Sequence, residues 1–417
     1  MMYLPGVASD HGRLPSQQAI KDENLKRIFL TLHARGEMTR VDLSRVTGLS
    51  PATVSALVEE LLLAEWIVET GPVKTDRIGR KPINLRVRPE GRRIPTFALS
   101  RRGVQYVLYD LELKPVEAMF IEHDSARYGG FEDSVPDRYP DTGKDYAALL
   151  HGALTRSRMF DPSLAPAVCV AFPGIYLPEK EAFSMTELRA SFSRSVMAEL
   201  EQMLGVPLFF GNTSMAHAYA EKVALEALGE RADSLIYLYV RDGVGAGLLC
   251  DGSLFRGASG ISGEIGHITV GDGGKRCACG NHGCLEQYVN LDAILERVRL
   301  AAPGGEAGDP VTLQSIRAAL DSGCDAVIRA MDEIAEKLFR GLYDAVCLTG
   351  IRRIAIGGGI ERLGDGFLES LRARAEKGGR LLMRGVAIDY ARSGPSSDTQ
   401  GIARYFMDKM LILGGQV

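Results

Sequence analysis

Apolar residues first recur with a helical period at Leu25, Ile28, Phe29 and Leu32, one face at i, i+3, i+4 and i+7, and Gly36 ends the run. Thr39 opens a short second segment with a capping hydroxyl, in which Val41, Leu43 and Val46 are the expected buried positions, and Gly48 breaks it. Ser50-Pro51 supplies an N-cap and a proline at the first helical position, after which Val54, Leu57, Val58 and Leu61 repeat the helical spacing. Trp66-Ile-Val and Ile83-Asn-Leu-Arg-Val then alternate like two strands around a loop containing Gly and Pro. Three helices followed by a hairpin predict a winged helix-turn-helix over residues 21–93, with residues 1–20 expected to be disordered.

From about Pro95 the texture changes to α/β. Residues 96–100 and 104–110 read as a hairpin of strands, and short apolar runs at 167–172, 208–210, 235–240 and 354–356 read as buried strands. Helical stretches lie between them, notably Ser214–Leu228 and Asp325–Leu342. Gly-rich turns follow three strands, at Phe172-Pro-Gly, Asp242-Gly-Val-Gly-Ala-Gly and Gly357-Gly-Gly. Glycine there lets the backbone come close to a phosphate or a sugar. Residues 94–417 are therefore expected to form one large ligand-binding body.

Charge changes the picture of the head. The whole chain carries −4, which alone argues against nucleic acid, yet residues 1–93 carry 15 Lys/Arg against 11 Asp/Glu. Eight of those bases fall in residues 74–93, where only Asp76 and Glu90 are acidic. A basic patch confined to a small domain is the footprint of a DNA-binding head on an acidic body. The second helix of the motif exposes Ser50, Ala52, Thr53 and Ser55, which offer hydroxyl and methyl contacts but no guanine-reading Arg. Positive charge is expected from Arg40 and from Arg77, Arg80 and Lys81 on the wing, whose Gly79-Arg-Lys-Pro tip suits a minor groove.

Seven cysteines, three of them within eight residues, point to a reduced cytoplasmic protein with one metal site rather than a disulfide framework. Residues 1–20 have no apolar core before a cleavage site and no run of about 18 apolar residues occurs, so neither secretion nor a membrane span is expected. Cys277, Cys279 and Cys284 with His267 supply three thiolates and an imidazole, a closed tetrahedral set for structural Zn2+. His282 is the competing histidine, but it lies inside the small loop.

The run from Val240-Arg-Asp-Gly-Val-Gly-Ala-Gly-Leu through Gly257 to Gly263-Glu-Ile-Gly-His267 resembles the signature of the ROK family of repressors and sugar kinases. The Cys-x-Cys-Gly-x-x-Gly-Cys-x-Glu run is similar to its zinc loop. Gly-Leu-Ser-x-Ala-Thr-Val-Ser and Gly-Arg-x-Pro match the winged helix of the repressor branch. The resemblance implies a two-lobed, actin-like (ribonuclease H-like) body after the head. It also implies sugar contacts from Asn212, Glu264, His267 and Glu286, with His267 turning its other nitrogen to zinc.

The kinase branch needs an Asp after that Asn as base, and here Thr213 follows Asn212. Its first phosphate loop reads Asp-x-Gly-Gly-Thr, and here Ser100-Arg101-Arg102 stands in that place. No phosphotransfer and no nucleotide are expected. Residues 184–191 also lack the Asn and Trp of the family's sugar-binding segment, so specificity should differ from simple hexoses. The expected protein is a transcription regulator, a repressor of carbohydrate genes. Its partners would be an operator duplex, a sugar or sugar-derivative effector, and further copies of itself in a dimer or tetramer.

Overall fold

The computed structural model describes residues 16–72, 81–122, 143–177, 182–185, 190–258, 260–271, 273–303, 308–376, 381–394 and 396–410. In the head, α1 spans Gln17–Arg35, α2 Arg40–Thr47 and α3 Pro51–Leu63, and β1 (Met38–Thr39), β2 (Ile67–Pro72) and β3 (Ile83–Val87) pair in the order β1-β3-β2. The helix therefore begins inside the segment expected to be disordered. Ser16 caps it by accepting the Ala19 N–H, while residues 1–15 lie outside the described residues. Thr39 and Asp42 form a reciprocal capping box on α2, and Ser50 caps α3.

The chain bends by 117° between α2 and α3, as a helix-turn-helix requires. Leu25, Ile28, Phe29 and Leu32 are fully buried as their spacing predicts, each stabilising the head by roughly 1.5–3 kcal/mol. In α2 only Leu43 is buried; Val41 and Val46 are exposed, against expectation. Eight residues make little more than two turns, and one apolar side chain fills the contact with the rest of the head.

The body opens with β4 (Ile94–Ser100), β5 (Gly103–Tyr109) and β6 (Pro115–Glu122), followed by α4 (Gly143–Arg156) and β7 (Val168–Phe172). A small sheet of β8 (Ile175–Leu177), β9 (Ala182–Met185) and β10 (Ala190–Ser193) precedes α5 (Arg194–Leu204), β11 (Leu208–Asn212) and α6 (Thr213–Ala227). The second lobe comprises β12 (Leu235–Val240), β13 (Val244–Cys250), β14 (Ser253–Leu254), α7 (Glu286–Val289), α8 (Leu291–Ala301), α9 (Leu313–Asp321), α10 (Asp325–Thr349), β15 (Arg353–Gly357), α11 (Asp365–Glu376), β16 (Ala387–Tyr390) and α12 (Ser397–Tyr405).

The two main sheets share one topology. In β11-β7-β4-β5-β6 and in β14-β13-β12-β15-β16, three antiparallel strands are extended by two parallel ones. This duplication is the actin-like, ribonuclease H-like architecture.

Strand alternation assigns the layers. Val168, Val170 and Phe172 face the outer core of the first lobe, while Cys169 and Ala171 face inward; on β12, Ile236 and Leu238 face outward and Leu235 and Tyr237 inward. The inward residues of both sheets meet α6 and α12 in one core, which runs without a break into Leu25, Phe29 and Trp66 of the head. Among the described residues, no single helix is long and apolar enough to cross a membrane.

Candidate functional site

A short helical turn at Ile265–His267 and a tight knuckle at residues 277–284 build the metal cluster. The knuckle closes through Gly280 N–H to Cys277 O (3.0 Å) and Cys277 N–H to Asn281 O (2.8 Å). The ligand atoms of His267, Cys277, Cys279 and Cys284 all lie within 4.8 Å of one another, and His282 is not among them. His267 Nδ1 lies 3.6 Å from Cys277 Sγ, and Cys279 Sγ lies 3.7 Å from Cys284 Sγ. A tetrahedral zinc, with sulfur at about 2.3 Å and nitrogen at about 2.05 Å, sets its ligand atoms about 3.6–3.8 Å apart. The donor set and the spacing therefore fit. Burial pushes the Cys277 and Cys284 thiols up, and side-chain contact with Cys279 adds to it. Gln287 Nε2 reaches the Cys277 sulfur at 3.7 Å, a supporting contact the sequence pattern does not reveal, because Gln287 belongs to α7 and not to the knuckle.

The other ring nitrogen of His267, Nε2, lies 3.8 Å from Glu264 Oε2. Glu286 is buried and accepts the Val244 N–H at 3.0 Å. Burial raises both carboxyls above the ordinary carboxylate range; His267 opposes this in each, and Glu286 raises Glu264 further. The cluster thus gathers three of the four residues implied as sugar contacts.

Asn212 plays a distinct structural part. As N-cap of α6, its Oδ1 accepts the Ser214 and Met215 N–H groups (2.8 and 3.3 Å), and its Nδ2 donates to Gly174 O (2.8 Å), which ties the Pro173-Gly174 turn to the helix. One Nδ2 proton is left for a ligand. Thr213, which follows Asn212, is buried, and its hydroxyl has no partner among the described residues.

The glycine loops serve packing more than the sequence suggested. Gly245 and Gly247 lie within β13, and a Cβ on Gly247 would sit 2.2 Å from Ser214 O, so this glycine lets the strand press on the first turn of α6. A Cβ on Gly357 would meet the Tyr237 hydroxyl at 2.2 Å. Gly359 does line a cavity of about 600 Å³ between the lobes, with Arg102, Arg241, Asp242 and Arg362, but its N–H is already taken by Glu361 Oε2 at 2.8 Å. Arg101, on the β4–β5 turn, pairs with Asp292 of α8 at 3.7 Å and bridges the lobes where a phosphate loop would lie.

In the head, Ser50, Ala52 and Ser55 are exposed at the start of α3, with Thr53 partly covered. Lys81 is exposed at the foot of the wing, whose residues 73–80, including Arg77 and Arg80, lie outside the described residues. Arg40 is held by Glu59 (2.9 Å) and Glu69 (3.0 Å), partners on α3 and β2 that no local pattern links to it.

Comparison with known proteins identifies both parts of the chain. The sequence pattern described as ROK family matches residues 137–406, and that described as winged helix-turn-helix DNA-binding matches residues 21–68. The chain is 28% identical over 366 residues to the xylose repressor of Caldicellulosiruptor bescii, covering 85% of this chain and 87% of that one. It is 28% identical over 361 residues to the DNA-binding transcriptional repressor Mlc of Escherichia coli K12, covering 83% of each. Among solved structures, a ROK family transcriptional regulator described as a homolog of E. coli Mlc superposes with a TM-score of 0.76 at 23% identity, over 95% of this chain and 100% of that one. A ROK glucokinase from Streptomyces griseus, solved with glucose and AMPPNP, superposes with a TM-score of 0.57 at 22% identity, over 75% of this chain and 98% of that one. The body is therefore sugar-kinase-like in fold, with the winged helix as an addition at its N-terminus.

Proposed function

This chain belongs to the ROK family, and from that premise we propose that it is a cytoplasmic transcriptional repressor whose sugar-kinase-like body senses a sugar or sugar derivative and performs no phosphotransfer. The observation that carries the reading is the union of the two parts. A winged helix shares one core with a body whose base position holds the buried Thr213 and whose Gly359 N–H is capped by Glu361. Relatives named as repressors, the xylose repressor among them, support it.

In this reading Glu264, Glu286, the cleft-facing nitrogen of His267 and the free Nδ2 proton of Asn212 meet ligand hydroxyls. Neutral polyols need just such mixed donors and acceptors. Zn2+ held by His267, Cys277, Cys279 and Cys284 fixes the His267 ring against that wall. Ser50, Ala52, Thr53 and Ser55 meet base edges, and Lys81 with Arg77 and Arg80 meets the backbone and minor groove. Paired half-sites imply a homodimer or a higher assembly of dimers.

Footprinting on the protein's own promoter, with and without a panel of pentoses, hexoses, amino sugars and their phosphates, tests the proposal. The expected result is a protected site released by one of these sugars. Absence of any protection sinks the regulator reading, and protection that no sugar alters sinks the sensor reading.

A further inference from the structure

The layer between the two main sheets reaches the head. Helix α6 starts at the Asn212 cap, and its first turn packs on β13, where Gly247 meets Ser214 O; the same strand backs Gly263 and Gly266, the neighbours of Glu264 and His267. The side chains of α6 join the inward faces of both main sheets in one core. α12 lies on it with almost no gap: a Cβ on Gly401 would sit 2.0 Å from Ala216 O and 3.1 Å from the Ala220 Cβ. Two backbones that close cannot slide without a clash, so a displacement of one helix is a displacement of both.

One turn on, Tyr219 of α6 donates its hydroxyl to Asp408 (2.7 Å), in the helical turn Phe406–Met410 that continues α12. Asp408 accepts both contacts of the Arg404 Nε (2.9 and 3.0 Å), and Arg404 Nη1 lies 3.4 Å from His33 Nδ1 of α1. Phe406 and Met407 bury beside this joint in the core that also holds Leu25 and Phe29 of α1. His33 Nε2, buried, has no partner among the described residues.

We infer that the α6–α12 pair is the element through which the ligand wall governs the DNA-binding head, with Tyr219, Asp408 and Arg404 as the positioning residues that pass its displacement to α1. The inference deepens the proposed sensing function and rests on it. A ligand that draws on Asn212, or on the Gly174 turn Asn212 holds, shifts the first turn of α6. The coupled helices carry the shift to Asp408, and the Arg404 guanidinium carries it to α1. Such coupling requires two arrangements of a shared element that both sites bias, and this pair is the element common to both.

The test is a coupling cycle that uses neither sugar nor DNA, so its failure is distinguishable from failure of the sensing reading. Amide hydrogen exchange of residues 25–33 is measured on the full chain in six proteins: wild type, Asn212→Ala, Asp408→Asn, Tyr219→Phe, and Asn212→Ala combined with either Asp408→Asn or Tyr219→Phe, each double variant against its own single variant. Removing the cap in the wild-type background should change α1 exchange roughly fivefold or more, the lower end of ordinary coupling between sites. In the Asp408→Asn or Tyr219→Phe background the transmitted change should fall below about twofold, within the additivity of independent sites. Tyr219→Phe removes only a hydroxyl and supplies the answer even where Asp408→Asn fails to fold. An unaltered α1 after Asn212→Ala, or an equal change in every background, overturns the inference.

Discussion

His267 Nδ1 lies 3.6 Å from Cys277 Sγ, the edge length of a tetrahedral zinc site, while the opposite ring nitrogen lies 3.8 Å from Glu264. One ring thus spans the Cys/His cluster and Glu264, and in the proposed reading it joins the metal to the sugar contacts. His267→Ala is expected to lose both the bound metal and the sugar response. Metal stoichiometry measured on the purified protein should fall from near one per chain to near zero, with a lowered unfolding midpoint. A variant that keeps full stoichiometry would show that the fourth ligand is wrong.

Glu361 accepts the Gly359 N–H, and the β4–β5 turn carries Arg101 and Arg102; in the proposed reading neither turn holds a phosphate, so an Asp at position 213 alone should not give catalysis. In a coupled assay with ATP and a sugar panel, both the wild type and Thr213→Asp are expected to show no turnover above background. Turnover typical of enzymes, roughly 1 per second or faster, would mean the protein is a kinase.

Gly357 carries no Cβ because the Tyr237 hydroxyl stands 2.2 Å from where one would be. Gly357→Ala should destabilise the body by about 1–3 kcal/mol through overpacking, and adding Tyr237→Phe should recover part of that loss. Thermal or denaturant unfolding of the three variants measures it. If the glycine is instead kept for a phosphate, the second substitution should bring no recovery.

Arg40 and Lys81 are both basic and both were expected at DNA, yet Arg40 is doubly paired and Lys81 is exposed. Lys81→Ala should weaken operator binding across sequences and reduce the salt slope by about 1. Arg40→Ala should lower the stability of the head and leave that slope unchanged. Titrations at several salt concentrations separate the two, and a reduced slope for Arg40→Ala would place its guanidinium on a phosphate.

Partial burial lowers the pKa of the half-buried His33, and Arg404 beside it adds to the effect; Asp408, the Leu111 backbone and Glu112 oppose this. A lowered folded-state value means that the unfolded chain takes up a proton first. Stability should therefore hold above the ordinary histidine range, about pH 6.5, and fall as pH drops below it, by at most about 1.4 kcal/mol per unit from this residue. His33→Phe should flatten that dependence in unfolding measured between about pH 5 and 7.5. The buried His217 shares the same direction and keeps the slope from vanishing.

Much was legible in the chain because the signals are local. The helical spacing from Leu25 to Leu32, the caps at Thr39 and Ser50, and the knuckle spacing of Cys277, Cys279 and Cys284 each act within a few turns, where backbone geometry follows directly from residue type. Thr213 after Asn212 and Ser100-Arg101-Arg102 are visible in the chain in the same way, and the proposal that the protein performs no phosphotransfer rests on them.

What the sequence could not decide is what meets across the chain. Arg40 finds Glu59 and Glu69, Gly247 presses on Ser214, and Asp408 joins Tyr219 from 189 positions away. The first pair is set by how the helices and strands of the head pack, the others by how two like sheets close on α6 and α12, and packing against distant surfaces leaves no period in the chain. Residue type and spacing therefore determined which pieces this protein has. Only the tertiary structure decided that its head and both main sheets of its body share one core around the same pair of helices.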